Sequence, residues 1–231
     1  MSSTDRVTVL IPAYQAKGTI GPLVAGVQKM GFPVIVVDDA SHDGTAKEAE
    51  SAGAAVLRRA TNGGKGAALR DGIQAALRQG CDWVLVLDAD GQHLVSEIPL
   101  FLEEARRGGA DLLIGNRMIH PRGMPLDRWT TNLIMSRILS RVAGREVPDT
   151  QCGFRMIRRE VLEKVRLTCD RFEVESELVV RAAWAGFRIA SVPVSCVYRR
   201  QISFIRPLRD TIRFFCFLSR LKKQPGAARP V

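Results

Sequence analysis

The sequence predicts an α/β fold in which a mostly parallel central sheet carries helices on both faces. Short runs of β-branched and other apolar residues recur along the chain, and each is followed by a segment with helical periodicity. Strands that are apolar on both faces and joined through helices are typical of parallel sheets covered on both sides. With 231 residues and 46% hydrophobic residues, the chain is long enough to form a packed core.

The predicted strands and helices alternate along most of the chain. Strands are predicted over residues 7–12, 34–39, 54–59, 83–88, 111–117 and 187–198. Helices are predicted over residues 19–30, 44–50, 65–79, 96–107, 128–143, 159–165 and 173–185. Gly144 and Gly186 follow two of these helices, in the position where a glycine commonly ends a helix. The segments HPRGMPLD and DTQCGF are predicted to be loops.

The positive charge is concentrated at the end of the chain. The formal net charge is +10, and residues 199–231 contain nine Lys or Arg against one acid, Asp210. We expect one domain over residues 1–206, followed over 207–231 by a basic amphipathic helix and a disordered tail. The helix either docks its apolar side on the domain or lies in an anionic membrane surface. Because the domain itself is nearly neutral, we expect no nucleic-acid partner.

Cysteine usage and hydropathy indicate the compartment. The five cysteines are scattered without a CxxC pair, so they indicate neither a zinc site nor a disulfide framework. The N-terminal sequence lacks the pattern of a signal peptide, and no apolar run approaches the ~20 residues of a spanning helix. We therefore expect a cytoplasmic protein that is peripheral on the cytoplasmic face of a membrane. The sequence does not indicate an oligomeric state.

Two aspartates follow directly on the predicted strand 83–88, in the stretch WVLVLDADGQH. Ligands of open parallel sheets bind outside the carboxyl ends of the strands, where Asp88 and Asp90 are expected to lie. Carboxylates two residues apart on an extended segment can both reach one hard cation, with Gln92 or water completing the oxygen ligands. Mg²⁺ or Mn²⁺ in such a site usually also binds phosphate oxygens, so the pair predicts a site for a diphosphate.

Seven segments occur in the order and spacing of a known family: IPAYQAKGTI, VIVVDDASHDGT, ATNGGKGAALRDGI, VLDADGQH, LLIGNR, DTQCGFR and FEVESELVVRAAWAGF. The similarity covers about residues 7–210. The chain resembles glycosyltransferase family 2, and within it the polyprenyl-phosphate branch that includes dolichol-phosphate mannose synthases. The resemblance implies a Rossmann-like GT-A fold, with residues 1–206 as the catalytic domain. It also implies inverting transfer of a sugar from a UDP- or GDP-linked donor to a polyprenyl-phosphate lipid, with Mg²⁺ or Mn²⁺ as cofactor.

The resemblance also assigns roles to matching residues. The expected metal ligands are Asp88, Asp90 and Gln92. Arg117 is expected to face the acceptor phosphate, with Arg128 and Asn132 one turn apart on a helix beside it. The residues expected to bind the nucleotide sugar are Pro12, Tyr14, Val37, Asp39, Lys65, Asp88, Ala89, Asp90, Arg200 and Arg206. The chain departs from the family at Gln15-Ala16, where relatives often have Glu or Asn-Glu, and this departure weakens one expected ribose or base contact.

The nature of the acceptor decides whether a general base is needed. An ionised lipid phosphate needs none, whereas a hydroxyl must lose its proton to a positioned carboxylate. Besides Asp90 at the donor, the candidate catalytic carboxylates are Glu175 and Asp149. Glu175 is equally interpreted as a residue favoured by the dipole at a helix N-terminus. Transfer to a lipid or saccharide hydroxyl therefore stays open as an alternative.

Other patterns argue against further classes of protein. TNGGKGAA lacks the Ser or Thr after Lys65 and the leading glycine of a P-loop, and no GxGxxG follows the first strand. These differences exclude a P-loop nucleotidase and argue against a dinucleotide oxidoreductase. A receiver-like signalling module is excluded by the length of the chain and by the second acidic cluster.

Overall fold

A computed structural model describes residues 5–119, 121, 123–197, 214, 216–219 and 221. Its strands are β1 (Val7–Ala13), β2 (Val34–Asp38), β3 (Ala55–Arg58), β4 (Trp83–Val86), β5 (Leu112–Asn116), β6 (Arg155–Arg158) and β7 (Ile189–Pro193). Its helices are α1 (Ile20–Lys29), α2 (Thr45–Ser51), α3 (Lys65–Arg78), α4 (Ile98–Arg106), α5 (Leu126–Ala143), α6 (Arg159–Lys164) and α7 (Glu173–Trp184), with a 3₁₀ turn at Val95–Glu97 before α4.

The strands form one sheet in the order β3-β2-β1-β4-β6-β5-β7. All neighbouring strands are parallel except β6, which is antiparallel to both β4 and β5. The predicted α/β fold with a mostly parallel sheet is therefore confirmed. Because β6 runs in the opposite direction, the loop that precedes it lies at the same edge of the sheet as the carboxyl ends of β4 and β5.

The strand β6 was not predicted, and its segment was interpreted as a loop followed by a helix. Its four residues, RMIR, have a charged residue at each end and no alternation of polar and apolar side chains. Arg155 is nonetheless buried, because its guanidinium binds three backbone carbonyls. A buried charged group can be accommodated only where such partners are supplied by the tertiary fold.

The core forms because the central strands are buried on both faces. Every residue of β1, β2, β4 and β5 is buried, as expected for strands between two helical layers. Helix α3 packs on β1 and β2. Gly72 makes this packing close, since a Cβ at that position would lie 2.2 Å from a methyl carbon of Leu10. The close packing fixes the N-terminus of α3 beside the carboxyl ends of these strands.

A second apolar cluster joins the end of the chain to the domain. Its C-terminal members are helical and buried, and they pack with residues of α5 and α7: Phe214, Phe217, Leu218 and Leu221 with Leu139, Ala143, Val180 and Ala183. The predicted C-terminal helix was expected either to dock on the domain or to lie in a membrane surface. These four C-terminal side chains dock on the domain. They are not available to a membrane surface. The predicted helix start at Pro207 and the tail lie outside the described residues.

Among the residues that the structure describes, no helix is long and apolar enough to cross a membrane. The boundary expected between residues 206 and 207 lies outside the described residues and stays a prediction.

Candidate active site

Polar residues converge at the carboxyl edge of the sheet. The strands β2, β1 and β4 are neighbours and run in the same direction, so the segments that follow them meet. Asp39 follows β2, and Asp88 and Asp90 follow β4. Lys65 begins α3 and Glu175 lies in the first turn of α7. This edge is the ligand site expected for an open parallel sheet.

The ammonium of Lys65 bridges two carboxylates. Its Nζ donates hydrogen bonds to Asp88 Oδ1 and to Glu175 Oε1, the latter at 2.5 Å. Burial alone would lower the pKa of Lys65, but the charges of Asp88 and Glu175 outweigh it and raise that pKa above its ordinary value. Burial would likewise raise the pKa of Asp88, but the Lys65 ammonium holds it below its usual range. Lys65 and Asp88 are therefore both charged at neutral pH.

Asp90 has less compensation than Asp88. Its Oδ1 accepts one hydrogen bond, from the N–H of Gln92 at 2.9 Å. Burial and the nearby charge of Asp88 raise the pKa of Asp90 to about 6. The carboxylate of Asp90 is thus the group of the site that most needs a cation, because its negative charge lies beside that of Asp88. The two carboxylates therefore fit a hard divalent cation.

The described residues do not form a complete metal site by themselves. Among the described residues, no group of three or more His, Cys, Asp or Glu is arranged to hold a metal ion. Gln92 contacts Asp90 through its backbone N–H, whereas its side-chain Oε1 accepts a weak hydrogen bond from the thiol of Cys196 at 3.7 Å. A cation held by Asp88 and Asp90 would need further oxygen ligands, which a diphosphate can provide.

His93 packs behind Asp88 rather than facing the site. The ring is buried, and its Nε2 lies 3.9 Å from Asp88 Oδ2. Burial lowers the pKa of His93 to about 4, although the charge of Asp88 opposes this, so the ring is neutral at pH 7. Its centroid lies 5.3 Å from that of Phe154. These contacts are those of a packing residue.

The loop before β6 packs against the side chain of Asp88. Val86 pairs with Arg155 in antiparallel register, and continuing this register by two residues places Gly153 opposite Asp88. A Cβ at Gly153 would lie 2.1 Å from Asp88 Oδ2, so only glycine leaves room for the carboxylate. Arg155 donates to the carbonyls of Thr150 and Glu175, both at 2.7 Å, and so links this loop to α7.

Asp39 binds the loop that precedes Lys65. Its two carboxylate oxygens accept the N–H groups of Gly63 at 2.9 Å and Gly64 at 2.7 Å. Arg59 Nη1 lies 3.4 Å from Asp39 Oδ1. Asp39, which is expected to bind the nucleotide sugar, therefore also positions the first residue of α3.

The other residues expected at the nucleotide line the same edge. Pro12 and Val37 are paired across β1 and β2, and Tyr14 follows β1 with 37% of its surface exposed. The carbonyl of Ala89 accepts a hydrogen bond from the hydroxyl of Thr19 at 2.7 Å, which fixes the segment between the two aspartates. Arg200 and Arg206 lie outside the described residues.

Arg117 and Asp149 form a bidentate ion pair after β5. Arg117 donates from Nε at 2.7 Å and from Nη2 at 2.9 Å to the two oxygens of Asp149, whose side chain is fully buried. The predicted acceptor residue and one candidate base thus bind each other. Arg128 and Asn132 lie one turn apart on α5, and both are half-buried.

Comparison with known proteins shows the family to which the chain belongs. The profile described as Glycosyl transferase family 2 matches residues 8–166. The chain belongs to this family. The polyprenol monophosphomannose synthase of Mycolicibacterium smegmatis is 32% identical over 85% of this chain and 79% of its own length. The undecaprenyl-phosphate mannosyltransferase of Micrococcus luteus is 32% identical over 84% of each chain.

Solved structures support the fold of this family 2 chain. A glucosyl-3-phosphoglycerate synthase from Mycobacterium tuberculosis, in complex with Mn²⁺, UDP and phosphoglyceric acid, has a TM-score of 0.76. It is 21% identical, and the match covers 97% of this chain and 81% of that chain. The expected GT-A fold is confirmed, as is membership in the glycosyltransferases of family 2.

Two residues that contact the candidate site were not predicted from the sequence. Gly153 and Arg155 both lie in the segment DTQCGFR, which was quoted for the resemblance but given no role. The contact of Gly153 with Asp88 follows from the antiparallel register of β6, which was not predicted. A glycine followed closely by an arginine carries no signal of its own in a single sequence.

Proposed function

We propose that this family 2 enzyme transfers a sugar from a UDP- or GDP-linked donor to a polyprenyl phosphate, with inversion at the anomeric carbon and with Mg²⁺ or Mn²⁺ as cofactor. The observation that carries the proposal is the carboxylate pair of Asp88 and Asp90, held beside the Lys65 ammonium at the carboxyl edge of the sheet. The names of the two relatives, polyprenol monophosphomannose synthase and undecaprenyl-phosphate mannosyltransferase, support a polyprenyl-phosphate acceptor.

At the donor, charge neutralisation is the main requirement. Asp88 and Asp90, with Gln92, would hold the divalent cation, which stabilises negative charge on a departing diphosphate. Lys65 would supply a second positive charge to the same diphosphate. The complex of the structural neighbour with Mn²⁺ and UDP supports this assignment. We also assign Pro12, Tyr14, Val37, Asp39 and Ala89 to the nucleotide sugar.

Arg200 and Arg206 are proposed to reach the donor pyrophosphate from the segment after β7. Val197 is the last described residue before them, and its N–H donates to the carbonyl of Gln92 at 2.9 Å. The chain is therefore beside the metal ligands only three residues before Arg200. This proximity supports the assignment made from the resemblance.

At the acceptor, the ion pairs favour a group that is already ionised. Asp149 is bound by Arg117, and Glu175 is bound by Lys65. A carboxylate that is held by a cation is a weaker proton acceptor than a free one. A lipid phosphate needs no base, and it can bind Arg117, with Arg128 and Asn132 beside it. Transfer to a hydroxyl, with Glu175 or Asp149 as base, is the alternative.

Lipid access is proposed on the α5 side of the site. Ile119, Leu126 and Ile134 are 50%, 80% and 57% exposed, although all three are large and apolar. They lie near Arg117, Arg128 and Asn132 along the chain. An exposed apolar surface beside basic residues suits the interface of an anionic membrane. We therefore propose peripheral attachment to the cytoplasmic face through this surface, rather than through the buried C-terminal side chains.

The experiment compares donors and acceptors with purified protein. UDP- and GDP-sugars are tested with Mn²⁺ or Mg²⁺, and with either undecaprenyl phosphate or undecaprenol, for wild type and Asp90→Asn. We expect metal-dependent glycosylation of the lipid phosphate by the wild type alone. Product from undecaprenol, with loss of activity in Glu175→Gln, would instead support the hydroxyl alternative. Absence of any nucleotide-sugar turnover would refute the proposed function.

A further inference from the structure

Lys65 occupies a position in which its positive charge competes with a metal ion. Its Nζ contacts Asp88 Oδ1, and only 12% of the Lys65 side chain is exposed. We propose that Lys65 is a resident counter-cation of Asp88, and that it makes binding of a divalent cation at Asp88 and Asp90 depend on the nucleoside diphosphate. This inference rests on the proposed function, because it concerns the same metal and donor.

The ammonium is held in this position directly by α7. Glu175 accepts its second hydrogen bond at 2.5 Å, and the Glu175 side chain is 10% exposed. The ring of Phe172 lies 6.0 Å from Nζ. A lysine on a protein surface samples many rotamers, but one that bridges two carboxylates in a partly buried site is restrained. Lys65 is therefore part of the site rather than a flexible surface charge.

The backbone of Lys65 is held as well. The carbonyl of Asp170 accepts the N–H groups of Gly66 at 2.7 Å and Ala67 at 3.2 Å, which satisfies two of the free donors at the start of α3. Arg70 donates to the carbonyl of Cys169 at 2.6 Å. The segment around residue 170 thus fixes the first turn of the helix that carries Lys65.

A buried carboxylate holds this segment in turn. Glu177 has a fully buried side chain that accepts the N–H groups of Thr168 and Cys169, both at 2.8 Å, and the Thr168 hydroxyl at 2.6 Å. Because Glu175 and Glu177 both belong to α7, one helix fixes Lys65 through its side chain and through its backbone. The arrangement keeps the ammonium next to Asp88.

The electrostatic consequence depends on what else is bound. In the free protein, the nearby ammonium would repel a divalent cation at Asp88 and Asp90. One oxygen of each carboxylate is also already hydrogen-bonded. A diphosphate adds negative charge and new oxygen ligands, and it attracts both Lys65 and the cation. Each ligand then raises the affinity of the other, as linkage requires. Metal and donor are therefore expected to bind together.

The test measures Mn²⁺ affinity by calorimetry, with and without UDP or GDP. Three variants are compared with the wild type. The double variant Lys65→Met/Glu175→Gln removes both charges, and Lys65→Gln removes the lysine charge but keeps hydrogen-bonding capacity. The third variant, Glu175→Gln, leaves Lys65 in contact with Asp88. We expect weak Mn²⁺ binding to the wild type alone, and at least tenfold tighter binding with nucleotide. Both variants without the lysine charge are expected to bind Mn²⁺ alone about tenfold tighter than the wild type, whereas Glu175→Gln is not.

The outcomes separate this inference from the proposed function. Unchanged or weaker Mn²⁺ binding by Lys65→Gln and by the folded double variant would overturn the counter-cation role. If the double variant does not fold, the Mn²⁺ affinity of Lys65→Gln alone tests this role. This comparison needs no nucleotide and no catalytic turnover. If no form of the protein binds Mn²⁺, with or without UDP or GDP, the proposed metal-dependent function fails instead.

Discussion

The ion pairs Lys65–Asp88 and Arg117–Asp149 lie at the same edge of the sheet but differ in how their oxygens are used. Asp149 accepts two side-chain bonds from Arg117, together with the N–H groups of Arg117 and Gln151, and its side chain is fully buried. Asp88 is 25% exposed and accepts the Lys65 ammonium on one oxygen. The saturated oxygens of Asp149 suit a structural role in positioning Arg117, whereas the partly open carboxylate of Asp88 can exchange partners with a ligand.

The strongest test of this difference is Asp88→Asn. We expect transfer activity to fall by at least about 10²-fold, because the variant loses one of two carboxylates that hold the cation. The free energy of unfolding should fall by less than the loss of about 3 kcal/mol expected when a buried charge loses its partner, since Lys65 keeps Glu175. Initial rates and urea denaturation check both values, with Glu103→Gln on the exposed surface of α4 as control. A large loss of stability would make Asp88 a structural residue like Asp149.

Asp149→Asn is expected to have the opposite profile. The variant leaves the guanidinium of Arg117 without its anion, so the free energy of unfolding should fall by about 3 kcal/mol. The matched control is Asp82→Asn, which removes the exposed pair with Arg6 and should cost less than about 1 kcal/mol. Denaturation curves of both variants make the comparison. A stable Asp149→Asn variant that has lost activity toward a hydroxyl acceptor would instead identify Asp149 as a base.

Gly153→Ala sharpens the comparison by moving Asp88 without changing any charge. Its Cβ cannot coexist with the present position of Asp88, so the carboxylate must shift by about 1 Å or more. We expect transfer activity to fall about tenfold or more, because displaced catalytic groups lose alignment. Gly109→Ala is the control, since a Cβ there meets no atom within 4 Å. Equal rates for the two variants would show that the position of Asp88 is not critical.

How far the sequence predicted this site depends on how local each contact is. Asp88 and Asp90 follow one strand, and a run of apolar residues ending in two carboxylates is visible without any tertiary information. The contact of Lys65 with Glu175 joins residues that are 110 positions apart, and no local pattern encodes it.

The missed strand has the same explanation. β6 is four residues long, and its place between β4 and β5 depends on pairing with both neighbours rather than on its own propensity. The crevice on the side of β1, β2 and β4 was therefore predictable, because each of these strands has a clear local signal. The contacts of Gly153 and Arg155 were not predictable, because these residues belong to β6 and to the loop before it.

The smallest expected effect concerns Asp90 and pH. Its pKa of about 6 in the folded protein is above the ordinary value of 3.8, so the folded state binds a proton more tightly than the unfolded state does. The free energy of unfolding therefore decreases as pH rises from about 4 to about 6. Without metal, Asp90→Asn should be more stable than the wild type by about 1–2 kcal/mol at pH 7. This gain should disappear near pH 4, where Asp90 is protonated in both states, and urea denaturation at the two pH values measures it. If Asp90→Asn were more stable than the wild type by the same amount at both pH values, the charge of Asp90 would not be unfavourable. The repulsion between Asp88 and Asp90 would then give no reason for a cation to bind there.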